Sequence, residues 1–366
     1  MTKRTLVAMS GGVDSSVAAA MLHSDHEEIV GVFMRNGIVG VAGHRSCCSL
    51  SDSRDARAVA SRLDIPFYVH DMSLSFARLM QDFSEDYVSG KTPNPCVVCN
   101  QRLKFGDLFD LADDLGCEGV ATGHYAQIRN GRLLRSVDDK KDQSYLLAGL
   151  SPTQLSRAIF PLGAMRKEEV RGYARSLGFN VADKPDSVDI CFVPGGDYRE
   201  VVEERVGNLG KKGWIVDQEG TPLAEHDGIG RFTVGQRRGL GLAMGYPAYV
   251  TSIDPDSGEV AIGPSDALSC LLCHVEEVVW QGDLSLPAHV SVQLRHHHQA
   301  EPAVIESVEG STEIVAIHFS APSVDVTPGQ YAVFYQGDAV LGSGRISRKP
   351  VAESVTAGAT AEDDRD

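Results

Sequence analysis

The sequence predicts a doubly wound α/β domain with a parallel sheet, followed by a small mixed central domain and a C-terminal β-barrel. In residues 5–123, apolar segments without inside–outside alternation alternate with amphipathic helical segments. Beyond about residue 205 the long helical periods disappear, and residues 275–346 show strands separated by turn signals. We therefore predict domains at residues 1–200, 201–270 and 271–350, and a disordered acidic tail at residues 351–366.

The elements of the first domain follow from these patterns. Predicted strands cover residues 6–9, 29–34, 67–69 and 119–122, and predicted helices include residues 17–22, 52–63 and 103–115. Ligands of a doubly wound sheet bind beyond the carboxyl ends of its strands. Residues 10–16, Met34 and Gly123 are therefore expected to face one crevice.

The composition is that of a globular protein. The 366 residues are 42% hydrophobic and 23% charged, which suffices for two or three domains with a core in each. No run of 18 apolar residues occurs, and the first apolar segment is too short for a secretion signal. We expect no membrane association and a cytoplasmic location.

The net charge, 34 − 50 = −16, argues against nucleic-acid binding. Residues 352–366 carry five acidic residues and one arginine, so 1 − 5 = −4 belongs to the predicted tail. Basic clusters in the body could form a local RNA track, although solvated faces explain any one cluster equally well. These clusters comprise Arg129, Arg132, Arg135, Lys140, Lys141, Arg166, Lys167, Arg171, Arg175, Arg237 and Arg238.

A glycine-rich loop, Ser10-Gly11-Gly12-Val13-Asp14-Ser15, lies between the first predicted strand and helix. Amides at a helix N-terminus attract anions, glycines permit close backbone approach, and Ser15 or Ser16 could cap the helix. The lysine of Walker-type loops and the Gly-x-Gly-x-x-Gly dinucleotide motif are both missing. The loop suits a reaction that expels intact pyrophosphate, and we expect Asp14 to meet Mg²⁺ or a substrate proton.

The eight cysteines, at positions 47, 48, 96, 99, 117, 191, 270 and 273, are too sparse for a disulfide scaffold. Cys99 follows Pro93-Asn94-Pro95-Cys96 at a predicted helix start, where the pKa of a thiol is lowered, so it is a candidate nucleophile. Cys191 stands alone and is by default a small buried hydrophobe. Cys96 and Cys99 could join Cys270 and Cys273 in a four-cysteine zinc site, although about 170 residues separate the two pairs and argue against it.

With these sequence motifs in this order, the chain closely resembles the bacterial MnmA family of tRNA-specific 2-thiouridylases over about residues 3–348. The further strings that carry the resemblance are Ala121-Thr122-Gly123-His124-Tyr125, Lys141-Asp142-Gln143-Ser144-Tyr145, residues 186–193, residues 232–241 and Thr327-Pro328-Gly329-Gln330. The resemblance implies a PP-loop fold of the adenine nucleotide alpha-hydrolase type. It also implies thiolation of carbon 2 of the wobble uridine, position 34, of tRNA: ATP with Mg²⁺ adenylates the C2 oxygen, and sulfur from a persulfide displaces AMP.

The resemblance also implies roles for individual residues. Cys191 matches the persulfide carrier and Cys99 the catalytic thiol, with a Cys99–Cys191 disulfide after turnover. The implied ATP site comprises Ala8, Met9, Ser10, Gly11, Gly12, Val13, Asp14, Ser15, Met34 and Gly123. The implied tRNA contacts are Asn94, His124, Lys141, Asp142, Gln143, Arg295, His296 and Gln330. The implied partners are tRNA and a persulfide donor, either a cysteine desulfurase or a relay protein.

One departure from the family pattern leaves alternatives open. Many members carry Asp where this chain has Cys96, and a thiol cannot replace that carboxylate. Cys96, Cys99 and Cys191 together could instead ligate a [4Fe–4S] cluster, although the persulfide route is favoured. A PP-loop amidotransferase or ligase acting on a small metabolite, and a non-catalytic ATP-sensing RNA-binding protein, are the rival functions.

Overall fold

The computed structural model describes residues 4–25, 28–38, 50–186, 190–193, 196–308, 311, 313–324 and 326–347. The strands are β1 Arg4–Ala8, β2 Glu28–Arg35, β3 Phe67–Asp71, β4 Gly119–Ala121, β5 Gln127–Arg129, β6 Arg132–Leu134, β7 Ala158–Ile159, β8 Gly213–Val216, β9 Pro222–His226, β10 Tyr249–Asp254, β11 Glu259–Gly263, β12 Cys270–Trp280, β13 Ala288–Gln293, β14 Glu301–Ser307, β15 Val315–Ser323, β16 Tyr331–Gln336 and β17 Ala339–Ile346. The α-helices are α1 Val13–Ser24, α2 Leu50–Arg62, α3 Ser73–Val88, α4 Pro95–Val98, α5 Leu108–Asp114, α6 Ser144–Leu147, α7 Pro152–Arg157, α8 Lys167–Ser176 and α9 Tyr198–Val206. A π-helical stretch covers Cys99–Asp107, and short 3-10 turns cover Ile229–Arg231 and Ser265–Leu268.

The first domain is built on a parallel sheet with the strand order β3-β2-β1-β4-β7. The predicted strands and the doubly wound fold are thus confirmed. Consecutive residues of β1 alternate between two cores: Leu6 belongs to the cluster that includes α3 and α5, and Val7 to the cluster that includes α1 and α8. Both faces of the sheet are covered, which explains the missing inside–outside alternation. The strand order reverses direction between β1 and β4, where such folds bind ligands.

The helix predicted at residues 103–115 differs from the structure. It begins as the π-helical stretch Cys99–Asp107, kinks at Phe105 (φ −120°, ψ 26°) and continues as α5. The side-chain amide of Gln154 donates to the carbonyl oxygens of Gln101 (2.8 Å) and Phe105 (2.5 Å). Because a distant side chain hydrogen-bonds these carbonyls, the irregular turn is stabilised from outside the helix.

The central domain is a four-stranded sheet with the order β10-β11-β8-β9. Ile215, Val250, Val260 and Ile262 form the centre of its own small core. The small central domain predicted after the α/β domain is therefore confirmed. Arg237 and Arg238 lie exposed between this sheet's elements.

The C-terminal barrel is antiparallel, with the order β12-β15-β14-β13-β16-β17, and pairing of β12 with β17 closes it. The β5–β6 hairpin of the first domain extends the same sheet, since Leu134 pairs with Ala339. Tyr145 also donates its hydroxyl to the carbonyl oxygen of Tyr331 (2.9 Å). The barrel is thereby attached to the first domain by main-chain pairing as well as side-chain contacts. In the described part of the chain, no helix is both long and apolar enough to span a membrane.

Candidate active site

The glycine-rich loop follows β1 and leads directly into α1. Gly11 has φ +73°, and a Cβ at this position would overlap the carbonyl oxygen of Asp52, so only glycine fits. Gly12 is the N-cap of α1. Ser15 and Ser16 do not cap the helix as predicted, because both hydroxyls donate back to the Gly12 carbonyl oxygen (3.2 and 2.8 Å). The helix starts earlier than predicted, which places both serines in its first turn.

The carboxyl end of β4 packs against this loop. A Cβ at Gly123 would lie 2.6 Å from the Ser15 amide nitrogen, so the loop and Gly123 are in direct backbone contact. Two buried polar atoms at the neighbouring strand ends, Asn36 Nδ2 and Thr122 Oγ1, have no hydrogen-bond partner within the described residues. Met34 is partly buried against the core beside them. A glycine cradle with unused buried polar groups fits the requirements of a nucleotide.

Asp14, in the first turn of α1, is neutralised by a lysine from α8. Lys167 Nζ lies 2.7 and 2.8 Å from its two carboxylate oxygens, and the Tyr125 hydroxyl donates to it at 2.8 Å. Lys167 belongs to one of the basic clusters considered as an RNA track. In this structure Lys167 and Arg171 contact acidic groups inside the site, whereas Arg175 pairs with Asp183 at the surface.

Three cationic side chains contact the carboxylate of Asp186. Lys141 (2.6 Å), Lys167 (2.8 Å) and Arg171 (2.8 Å) all contact it. Burial alone would raise the pKa of Asp186, but the hydrogen bonds from Lys141 and Lys167 outweigh this and lower it to about 2. Through Lys167, the segment that precedes Cys191 is therefore linked to Asp14 of the glycine-rich loop.

Lys184 supports the glycine-rich loop from the other side. Its ammonium donates to the Gly11 carbonyl oxygen (2.9 Å) and to Asp52 and Asp55 of α2 (both 2.6 Å). Burial alone would lower the pKa of Lys184, but the two carboxylates raise it above its ordinary value. Sequence reasoning missed Lys184 and gave Asp186 no role, because neither residue lies in a local motif that indicates its partners.

A second polar cluster lies next to the loop. His124 Nδ1 is 2.9 Å from Gln143 Oε1, and His124 Nε2 is 3.2 Å from Lys104 Nζ and 3.1 Å from Asn100 Oδ1. Gln143 Oε1 also accepts from the Tyr125 amide at 3.1 Å. Burial, together with the charge of Lys104, lowers the pKa of His124 to about 3. The ring is therefore neutral, donates through Nδ1 to Gln143 and accepts at Nε2 from Lys104.

Cys99 is the first residue of the π-helical stretch, and the prediction of a lowered thiol pKa is wrong. Burial raises its pKa; Lys104 opposes this and Asp107 adds to it. Helix α4 begins at Pro95, and Asn94 Oδ1 accepts from the amides of Cys96 (3.2 Å) and Val97 (3.4 Å). The helix N-terminus therefore lies at Pro95, about one turn before Cys99.

Cys191 lies in a short described segment, residues 190–193, and is partly buried against the same core cluster as Cys99. Phe192 anchors this segment by an edge contact with Phe83, with ring centroids 5.1 Å apart. Cys99 carries a thiol in this structure, so its disulfide with Cys191 stays a prediction. Residues 187–189 of the matching string, together with Cys47, Cys48 and the predicted tail at 351–366, lie outside the described residues.

The cysteines that the structure describes are not grouped as ligands of a metal ion. Among the described residues, which include Cys96, Cys99 and Cys191, no three His, Cys, Asp or Glu side chains are grouped to hold a metal ion. A [4Fe–4S] cluster on these three thiols therefore does not fit the arrangement. Cys270, Cys273 and His274 lie on strand β12 of the barrel and are not grouped with Cys96 and Cys99.

The positions expected to contact RNA fall into two groups. The first group lies in the first domain after β4 and comprises His124, Lys141, Asp142 and Gln143. Of these, Asp142 is buried and accepts from Ser144 Oγ at 2.7 Å. The remaining four residues are Asn94, Arg295, His296 and Gln330, which lie where the barrel meets the first domain.

In that second group, each residue has an internal contact. Gln330 Nε2 donates to the carbonyl oxygens of Thr92 (2.9 Å) and Pro93 (3.3 Å), and Arg295 donates to Thr327 Oγ1 (2.7 Å). The His296 ring lies 5.9 Å from the Tyr145 ring, and burial together with His297 lowers its pKa to about 4. The loop that carries Asn94 is thus held by the barrel.

Comparison with known proteins resolves the family. A relative from Thermobifida fusca is 45% identical over 366 residues, covering 98% of this chain and 99% of the relative. Another relative, from Geobacter metallireducens, is 44% identical over 357 residues, covering 94% of this chain and 96% of the relative. Both are described as tRNA-specific 2-thiouridylase MnmA. The chain belongs to the MnmA family.

The three domains of this MnmA family member also match domain families. The match to the tRNA methyl transferase HUP domain spans residues 3–195, that to the PRC-barrel domain residues 199–264, and that to the aminomethyltransferase beta-barrel domain residues 272–346. A solved 4-thiouridine synthetase–RNA complex with bound ATP is 17% identical, covers 57% of this chain and 51% of its own, and has a TM-score of 0.37. At that distance it indicates nothing about the activity of the MnmA family member.

Proposed function

We propose that this chain is a tRNA-uridine 2-sulfurtransferase that uses ATP to convert the wobble uridine of tRNA, position 34, into 2-thiouridine. Near-full-length relatives described as 2-thiouridylases support the reaction. The observation that carries it within the molecule is a series of contacting residues, in which Tyr125 contributes its hydroxyl on one side and its backbone amide on the other. Asp14 contacts Tyr125, Tyr125 contacts Gln143, Gln143 contacts His124, and His124 contacts Lys104 beside Cys99.

ATP would bind at residues 8–15, Met34 and Gly123, with its phosphates over the N-terminus of α1. Gly11 and Gly123 leave no room for side chains, which supports close approach of a phosphate chain. Mg²⁺ commonly takes one or two carboxylates together with substrate phosphates, and Asp14 offers such a carboxylate when Lys167 moves to a phosphate. The ion would supply charge neutralisation for the leaving pyrophosphate.

The proposed chemistry separates activation from substitution. The C2 oxygen of uridine attacks the α-phosphate of ATP, pyrophosphate leaves, and the resulting adenylate makes C2 susceptible to attack. The Cys99 thiolate attacks the Cys191 sulfur of the persulfide, so a Cys99–Cys191 disulfide forms and hydrosulfide leaves. Hydrosulfide then attacks C2, and AMP departs with the former C2 oxygen. A dithiol reductant must restore both thiols before the next turnover.

The proposed partners are the tRNA anticodon loop and a persulfide donor, either a cysteine desulfurase or a relay protein. The target base must leave its stack to reach the pocket. His124, Lys141, Asp142, Gln143, Arg295, His296, Gln330 and Asn94 are the proposed tRNA contacts. Their placement on both sides of the junction between the first domain and the barrel supports a single continuous binding face.

The test is reconstitution with an unmodified tRNA transcript, ATP, Mg²⁺ and a persulfide donor, with 2-thiouridine measured by mass spectrometry of nucleosides. Wild type should form 2-thiouridine and release pyrophosphate only when tRNA is present. Cys191→Ser should release pyrophosphate but form no 2-thiouridine. Full thiolation by Cys191→Ser would contradict the sulfur route, and pyrophosphate release without any thiolation by wild type would contradict the proposed function.

A further inference from the structure

The π-helical stretch brings Lys104 and Cys99 together. In a regular α-helix, residues five positions apart are rotated by about 140° from each other and face different sides. A π-helix has i→i+5 hydrogen bonds, so such residues lie one above the other. Cys99 is the first residue of the stretch and Lys104 is five positions later. Consistently, burial raises the pKa of the Cys99 thiol and the charge of Lys104 opposes that increase.

The ammonium of Lys104 is held in place by a neutral partner. Its Nζ is 3.2 Å from His124 Nε2, and His124 is oriented by Gln143 Oε1 at 2.9 Å. Two other cations form ion pairs with carboxylates instead. Arg102 pairs with Asp82 at 2.7 Å, and Lys141 pairs with Asp186 at 2.6 Å. A neutral imidazole orients an ammonium without cancelling its charge, so the positive field at Cys99 is preserved.

We propose that Lys104 is a positioning residue for sulfur transfer, whose fixed charge stabilises the Cys99 thiolate. The inference rests on the proposed function and deepens it. The Cys99 thiol loses its proton to water, and the thiolate attacks the Cys191 sulfur of the persulfide. The Cys191–sulfane bond breaks, its electron pair leaves on hydrosulfide, and the disulfide forms. Negative charge passes from Cys99 Sγ to hydrosulfide, and Lys104 favours the anion throughout.

The chain offers a matched control in the same turn. Arg102 is exposed, carries the same charge and pairs with Asp82 on the outer side of the helix. Arg102→Met therefore removes one positive charge from the same helical stretch without changing the contacts of His124. Lys104→Arg keeps the charge, and Lys104→Gln removes it while retaining a polar side chain.

The experiment measures the alkylation rate of Cys99 by iodoacetamide between pH 6 and 11, in the full-length Cys96→Ser protein, with peptide mass spectrometry. Lys104→Met and Lys104→Gln should raise the pH of half-maximal reactivity by about one unit, which slows alkylation about tenfold at pH 7. Lys104→Arg and Arg102→Met should behave like the parent. An unchanged profile in both neutral variants, or an equal shift in Arg102→Met, would overturn the inference.

A second readout separates this inference from the proposed function. Alkylation requires neither ATP nor tRNA, so a shifted profile without any 2-thiouridine formation by wild type would count against the function alone. In single-turnover thiolation from a preformed Cys191 persulfide, Lys104→Met should be about tenfold slower at pH 7 and recover as the pH rises. A rate deficit that is independent of pH would show a merely structural role and overturn the inference.

Discussion

Lys167 Nζ contacts both carboxylate oxygens of Asp14, at 2.7 and 2.8 Å, across 153 residues of chain. The same ammonium contacts Asp186 at 2.8 Å. One lysine of α8 therefore connects the first turn of α1 with the segment that leads to Cys191. A phosphate bound at the loop would compete with both carboxylates for this cation.

Lys167→Met should leave Asp14 without its cation and weaken both stability and the ATP-dependent step. The Lys167 side chain is 11% exposed and Asp14 31% exposed, so we expect a loss of about 2 kcal/mol in the free energy of unfolding. tRNA-dependent pyrophosphate release should fall at least about 100-fold. Arg175→Met on the same helix, whose pair with Asp183 is exposed, is the control and should retain activity. Wild-type activity in Lys167→Met would contradict the assigned role.

Gly11→Ala should abolish ATP binding, measured by calorimetry, and lower the melting temperature. The matched control is Gly131→Ala, because both glycines have φ +73° but a Cβ at Gly131 meets no atom within 4 Å. Backbone strain alone should cost the control about 1 kcal/mol. The additional loss in Gly11→Ala then measures the overlap with the Asp52 carbonyl. Equal losses in the two variants would show that this overlap is relieved.

His124 should make the protein less stable at mildly acidic pH. Its pKa is lowered to about 3 from 6.5, so the unfolded chain binds a proton between these values and the folded chain does not. Stability therefore falls as the pH drops below 6.5, by at most about 1.4 kcal/mol per pH unit. Between pH 7.5 and 5.5, the free energy of unfolding measured with urea should change less for His124→Gln than for wild type. If the free energy of unfolding changed equally with pH in both proteins, a buried neutral His124 ring would be ruled out.

Gln154→Glu should change the reactivity of Cys99 although the mutated residue is on α7. Glutamate retains the acceptor for the Ser151 amide but loses the donor to the carbonyl oxygens of Gln101 and Phe105. The π-helical stretch should relax and move Lys104 away from Cys99. Alkylation of Cys99 should then slow by about the factor expected for Lys104→Met, tenfold.

The control for that variant is Ser156→Ala, also on α7, whose hydroxyl makes an exposed contact with the Thr153 carbonyl oxygen. It should leave the alkylation profile unchanged. An unaltered Cys99 profile in Gln154→Glu, with the protein folded, would show that the π-helical stretch is stable without Gln154.

The sequence by itself determined the doubly wound domain, the barrel and the glycine-rich loop, because these depend on local periodicity and on residue types in one short segment. Gly11 illustrates this, since its loop position alone indicates an unusual backbone conformation. Only the tertiary structure decided which lysine contacts each group. Lys167 contacts Asp14, Lys184 contacts the Gly11 carbonyl oxygen, and Lys141 contacts Asp186. Ion pairs across the chain leave no periodic signal. The prediction of a lowered pKa for the Cys99 thiol failed for the same reason. Burial and a π-helical turn, which Gln154 stabilises, set the environment of Cys99.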